Sequence, residues 1–342
     1  MEKILKLLII SILVLSNVFL YGQIDSNQYK EIIDKRTRVI IDNDFGGDPD
    51  GLFALAHHLL SPSVEVKAII GSKQYDGGFY GYPGSVTHAT KMATELLAVM
   101  KLEKKYYVLE GSNVGLKDTL TAAVSDGAKA IVEEAMKADK RPLYVVCGAG
   151  LTNIASAYLI EPKIAERITL VWIGGTEYGD LASPPPGAGY HWEYNTGIDV
   201  KAVQVVFNQS NIPILQVPRN AYRQCLTSYA ELKYKLMPAG KTGVYLLGKL
   251  EDLMKRADKK LGEAYVLGDS PLVLLTALQS SWEVEPSSSR YVLKDCPRIN
   301  DNGMFASNPS GRKICVYDQI DTRLMFEDFF AKLVITNGSR IR

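Results

Sequence analysis

The apolar run at residues 38–42 (RVIID) passes directly into an acidic, glycine-rich turn, NDFGGDPDG, and then into a second apolar run, LFALAHHLL. A short run of β-branched residues bounded by turn residues reads as a buried strand, and the second run has the length and pattern of a helix. Strand, loop and helix make up the basic α/β unit. The same order recurs along the chain: residues 64–70 (VEVKAII) end at Gly71, residues 144–146 (YVV) lead through Cys147 to Gly148, and residues 168–173 end at Gly174. A long periodic segment at residues 87–100 suits a helix. Together these runs predict an α/β fold with an open, mostly parallel β-sheet flanked by helices. In such sheets functional groups gather beyond the carboxyl ends of the strands.

Lys and Arg number 39 against 38 Asp and Glu, a formal charge of +1 that gives no electrostatic reason to expect nucleic acid as a partner. Residues 1–22 carry Lys3 and Lys6 followed by an apolar run from Leu7 to Leu20, the pattern of a secretory signal peptide. Residues 23–342 are read as a single domain, exported to a periplasmic or extracellular space, with no stable membrane span after processing. Four cysteines without CxxC spacing make no disulfide framework, although Cys296 and Cys315 are near enough in sequence to pair in an oxidising compartment. Residues 232–261 are Lys-rich and helical in pattern, and are expected to be a solvated peripheral element.

Asp42, Asp44, Asp48 and Asp50 put four carboxylates within nine residues at the end of a predicted buried strand. Their mutual repulsion is offset if oxygen ligands surround a hard divalent cation, most naturally Ca²⁺ or Mg²⁺, with Gly46, Gly47 and Gly51 allowing a tight fold around it. The alternative is an ordinary polar turn in which Asp50 caps the following helix. Thiolate or imidazole ligation is not indicated, because His57 and His58 are adjacent on a helix and cannot share a face.

The turn resembles the opening DxDxGxDD of the inosine-uridine-type nucleoside hydrolases, here DNDFGGDPD with Pro49 between the last two carboxylates. Three further blocks follow in that family's order: GAGLTNIA at residues 148–155, Glu193-Tyr194-Asn195, and Asp269 before an apolar helix. The resemblance covers residues 38–275 and implies a nucleoside-hydrolase-like, Rossmann-like architecture. It implies that Asp44 is a Ca²⁺ ligand and the general base, that Asp50, Asp269 and the Gly148 carbonyl are further ligands, and that Asp48 contacts the sugar. Glu193 and Asn195 would hold ribose hydroxyls, with Ser72 and Asn153 also among the substrate-binding positions. The activity implied is calcium-dependent hydrolysis of the N-glycosidic bond of a ribonucleoside or related ribosyl conjugate. A dimer or tetramer is the assembly implied.

Three departures from the pattern matter. Gly268 stands where the family has a histidine, Ser72 stands where it has an asparagine, and Pro49 lengthens the metal loop by one residue. His191, two residues before Glu193, is expected to act as a replacement acid or to stack with Trp192, because an imidazole titrates near neutrality. Tyr75, Tyr80 and Tyr82 are candidates for an aromatic wall, the alternative being that they simply anchor their glycine-rich loop. The alternatives to nucleoside hydrolysis are a non-catalytic calcium-dependent sugar-binding protein on the same scaffold, and a hydrolase of a non-nucleoside glycosyl conjugate.

Overall fold

The computed structural model describes residues 28–187, 193–284 and 286–336. The leader expected over residues 1–22, and His191 with Trp192, lie outside the described residues. Six strands run parallel: β1 (Thr37–Asn43), β2 (Val64–Gly71), β3 (Val108–Glu110), β4 (Leu143–Gly148), β5 (Thr169–Ile173) and β6 (Ile214–Val217). After them come an antiparallel ribbon of β7 (Leu226–Ser228) with β8 (Ala264–Val266), then β9 (Arg290–Asp295), a second ribbon of β10 (Arg298–Ile299) with β11 (Phe305–Ala306), and β12 (Lys313–Gln319). The eight-stranded sheet has the order β3-β2-β1-β4-β5-β6-β12-β9, and only β9 runs antiparallel to its neighbour.

Every residue of β1 is buried, and its side chains alternate between two cores. Val39 and Ile41 pack on one face with Leu52 and Leu55 of helix Asp50–Leu60, whereas Ile40 packs on the other with Ile131 and Ile154. Period-two alternation with both faces covered explains the unbroken apolar run, and each fully buried Ile contributes about 1.5–3 kcal/mol. The carboxyl end of β1 therefore has a fixed place in the middle of the sheet.

One expectation is corrected and one open pairing is decided. Residues 232–261 are helical but not peripheral: helices Tyr229–Leu236 and Gly240–Arg256 bury Leu232, Leu236, Leu246, Leu250 and Leu253 in the core. Leu246, Leu250 and Leu253 stand at i, i+4 and i+7, an amphipathic stripe that the intervening lysines obscure. Cys296 and Cys315 are free thiols. The β12–β9 ladder pairs Cys315 with Leu293, so Cys296 falls beyond the end of its strand, where Arg312 Nη1 approaches its Sγ at 3.3 Å.

His57 and His58 are structural. His57 Nε2 lies 2.7 Å from Asp328 Oδ2 and His58 Nε2 lies 3.0 Å from Thr276 Oγ1, both on the helix's buried surface. Among the described residues no helix is long and apolar enough to cross a membrane.

Candidate active site

The acidic turn leaves β1 at the centre of the sheet and opens onto a cavity of about 480 Å³, which is lined by Asp44, Asp48, Asp50, Gly148, Glu193, Asn195 and Asp269 among others. The structure thus brings together seven of the ten site residues expected from sequence. Ser72 and Asn153 do not line the cavity but lie buried beneath it, joined to Asp42. Ser72 Oγ donates a short bond to Asp42 Oδ1, and Asn153 Nδ2 donates to the same oxygen at 3.0 Å and to Ser72 Oγ at 2.9 Å. Asn153 Oδ1 in turn accepts from the backbone N–H of Ser112 at 3.0 Å. These bonds make a floor under the turn, and the serine that stands where an asparagine is usual is short enough to fit within it. Burial raises the Asp42 carboxyl to about 6, while the two side-chain hydrogen bonds oppose the rise.

Pro49 takes helical dihedrals (φ −80°, ψ −4°) as the cap of helix Asp50–Leu60, so the inserted residue is absorbed at the helix start. Asp50 consequently begins the helix and still faces the cavity. Its Oδ2 accepts from the backbone N–H of Asp269 at 3.2 Å, and its Oδ1 accepts from Gly51 at 2.8 Å. Asn43 Nδ2 donates to Asp269 Oδ2 at 2.7 Å, tying β1 to a residue 226 positions away. Gly148 is required where these groups meet. A Cβ there would stand 2.4 Å from Asp269 Oδ2 and 2.5 Å from Asn43 Nδ2, closer than any side chain tolerates.

The carboxylates oppose one another's ionisation. Burial, then the charges of Asp269 and Asp48, hold the Asp44 carboxyl well above its ordinary value, and the same three influences act on Asp50. Burial lifts Asp269 to about 8 against the pull of the Asn43 hydrogen bond. Such a cluster of oxygen donors, with no thiolate or imidazole among them, fits a hard divalent cation, whose charge would relieve the repulsion. Among the described residues, however, no three acidic, His or Cys side chains already converge as a finished ligand shell. Hydrogen bonds hold them apart: Asp48 to the Tyr265 hydroxyl at 2.9 Å, Asp269 to Asn43 and Asp50 to backbone amides.

On the other side of the cavity Glu193 caps helix Tyr194–Ile198. Its Oε2 accepts from the backbone N–H groups of Gly175 at 2.9 Å and Thr196 at 3.1 Å, and its Oε1 accepts from the Tyr222 hydroxyl at 3.1 Å. Burial raises its carboxyl, with these bonds working in the opposite direction. Asn195 is oriented by a 2.8 Å bond from its Nδ2 to the carbonyl of Ile173 at the end of β5.

Sequence reasoning missed Tyr265, which reaches the site from the β7–β8 ribbon, and Tyr194 and Phe79, which also line it. Tyr75, Tyr80 and Tyr82 do not form such a wall. Tyr75 packs edge-on behind Tyr194 with ring centroids 4.8 Å apart, and Tyr82 is clamped under Arg256, whose guanidinium carbon lies 3.1 Å above its ring. The signal for Tyr194 lay between Glu193 and Asn195, and that for Tyr265 lay four residues before Asp269.

A parallel sheet covered on both faces, with a cluster of oxygen donors at its carboxyl edge beside a nucleoside-sized cavity, defines an α/β protein built to bind a small polar ligand. The profile of the inosine-uridine preferring nucleoside hydrolases matches residues 39–293, and the chain belongs to that family. Its members are generally metal-dependent. An 81-residue segment is 36% identical to an inosine-uridine preferring nucleoside hydrolase of Leishmania major, a match spanning 23% of this chain and 24% of that protein. The chain thus spans about a quarter of the curated relative's length in that match. The fold is shared with a purine-preferring ribonucleoside hydrolase from Gardnerella vaginalis, with a TM-score of 0.68 and 18% identity over 90% of this chain and 100% of that one. It is shared too with an inosine-uridine preferring nucleoside hydrolase from Bacillus anthracis, with a TM-score of 0.63 and 17% identity over 88% and 99% of the two chains.

Proposed function

We propose that the protein hydrolyses the N-glycosidic bond of a ribonucleoside or a closely related ribosyl conjugate, releasing the base and ribose. The observation that carries this reading is the ring of Asp44, Asp48, Asp50 and Asp269 around one cavity, faced by Glu193 and Asn195. Ca²⁺ is the cation proposed, held by Asp44, Asp50, Asp269 and the Gly148 carbonyl, and when bound it supplies Lewis acidity and the charge that keeps these carboxylates ionised. Asp44 accepts the proton of the attacking water. Asp48, fixed by Tyr265, and Glu193, fixed by Tyr222 and two backbone amides, hold sugar hydroxyls with Asn195. Positive charge develops at C1′ as the bond to nitrogen breaks, and the surrounding carboxylates stabilise it. Tyr222, Tyr265 and Phe79 exclude water and pack against the leaving group.

Gly268 favours a second reading. It lines the cavity without an ionisable side chain to protonate a departing base. Sugar binding without turnover, or hydrolysis of a non-nucleoside conjugate with a better leaving group, fits that feature. We further place the mature protein outside the cytoplasm, after removal of residues 1–22, and as a dimer or tetramer. The deciding experiment is release of free base from a panel of purine and pyrimidine ribosides by the mature protein with added Ca²⁺, with Asp44→Asn as the control. Base release lost in the control supports hydrolysis, and calcium-dependent ribose binding without release supports the second reading.

A further inference from the structure

Among the described residues lining the cavity, five are acidic and Arg223 alone is a cation. Its neighbour Arg219 is fully engaged, donating from Nε and Nη2 to the two carboxylate oxygens of Glu177, each at 2.6 Å. The Arg223 backbone N–H donates to the Arg219 carbonyl at 3.2 Å, but its guanidinium makes no hydrogen bond and lies within 4 Å of no carboxylate among the described residues, acting on Glu177 only through its charge, and it is exposed at the cavity mouth. It stands just after helix Arg219–Tyr222 and before β7, so it adjoins the wall that the β7–β8 ribbon contributes through Leu226, Ala264 and Val266. That wall is apolar, in contrast to the oxygen-rich surface that faces the sugar.

Resting on the hydrolase reading above, we infer that the preferred substrate is a riboside whose leaving group carries an acidic substituent, held by Arg223 while its ring lies against the β7–β8 wall. Five carboxylates around one cavity disfavour an anionic substituent wherever no cation stands beside it, and Arg223 is the cationic side chain among the described residues lining it. A guanidinium offers a planar fork matched to a carboxylate, and here its donors are not already taken. Gly268 fits the same assignment. A Cβ at Gly268 would lie 3.4 Å from the Tyr222 ring and 3.3 Å from Asp50 Oδ2, so its absence widens the site beside the residue that precedes Arg223. Because Arg223 is exposed, its effect is screened and moderate.

The test compares kcat/KM for a pyrimidine riboside bearing a ring carboxylate with that for its uncharged parent, in the wild type, Arg223→Ala and Arg223→Lys. The wild type is expected to favour the carboxylated riboside. In Arg223→Ala the acid-to-neutral ratio falls about tenfold, mostly through KM, in Arg223→Lys it is partly restored, and raising salt lowers it in the wild type and Arg223→Lys but not in Arg223→Ala. An unchanged ratio, or a parallel loss for both substrates, overturns the inference. A third substrate, the 5′-phosphate of the neutral riboside, separates the two anionic ends: if only this one depends on Arg223, the assignment to the leaving group is overturned. If the wild type releases base from none of them, the hydrolase reading fails. Equilibrium binding of the same pair then decides the role of Arg223, with arginine-dependent retention of the carboxylated riboside supporting it and equal binding overturning it.

Discussion

Two glycines lining one cavity make opposite predictions for the same substitution. At Gly148 a methyl group would stand 2.4 Å from Asp269 Oδ2 and 2.5 Å from Asn43 Nδ2, and these two groups are themselves bonded at 2.7 Å. Neither has room to retreat, because the cost of overpacking is about 1–3 kcal/mol, and separating a buried, charge-assisted bond adds about 1.5–3 kcal/mol. Gly148→Ala is therefore expected to destabilise the protein by about 2.5–6 kcal/mol. At Gly268 the nearest atoms would be 3.3 and 3.4 Å away, which a shift of a few tenths of an ångström relieves, and the loss of unfolded-chain freedom is worth about 0.4–1 kcal/mol in favour of alanine. Gly268→Ala is expected to stay within about 1 kcal/mol of the wild type. Guanidinium unfolding followed by far-ultraviolet circular dichroism reads both as shifts in midpoint at constant slope. Base release should fall by about a hundredfold in Gly148→Ala, since Asp269 is displaced by roughly an ångström. Equal midpoint shifts in the two variants would refute the reasoning, because it rests entirely on the difference between 2.4 and 3.3 Å.

Asp44→Asn removes the proposed base and should lower turnover by about 10²–10⁴-fold while leaving the unfolding midpoint near that of the wild type, as judged by rate and denaturation side by side. Chelation should abolish base release, and Ca²⁺ should restore it better than Zn²⁺, because the donors are oxygen only. Burial lowers His57 to about 4 and His58 to about 3 from an ordinary 6.5, so the unfolded chain binds more protons and their contribution to stability is lost as pH falls from about 6.5 towards those values. The raised carboxyls of Asp42, Asp44, Asp50 and Asp269 act in the opposite direction over pH 7 to 4, so the histidine contribution is read as the stability difference between the wild type and His58→Gln in a denaturation series; that difference should shrink as pH falls, and one independent of pH would contradict it. Arg256 stacks on Tyr82 and donates to the carbonyl of Tyr80 at 2.6 Å, so Arg256→Ala should speed amide exchange across residues 75–84 while leaving exchange in β1 unaltered.

What the sequence made legible follows from where each residue gets its partners. RVIID reads as a strand because both of its faces are apolar, and Asp44, Asp48 and Asp50 read as a cluster because one turn carries them all. The family histidine's replacement, Gly268, was visible too, but its consequence was not, since that depends on Tyr222 and Asp50 coming from elsewhere. Tyr265 was illegible because β7 and β8 pair across two intervening helices, so nothing local marks it as facing Asp48. Ser72 and Asn153 look like binding groups in one dimension. Their hydrogen bonds run downwards to Asp42, a direction that only the sheet's β2-β1-β4 order defines. The leucine stripe within residues 232–261 was misread for a simpler reason: lysines between its positions lowered the average while leaving the spacing intact.

The bond from Asn43 to Asp269 joins residues 226 positions apart. During synthesis at about 5–20 residues per second, the acidic turn exists for roughly 11–45 s before its last partner has been made. Throughout that interval the turn has neither the backbone amide that orients Asp50 nor the side chain that anchors Asn43. The centre is therefore a product of the finished chain, and a ribosome that stalls before codon 269 releases a fragment with the most recognisable part of the site and none of its closure.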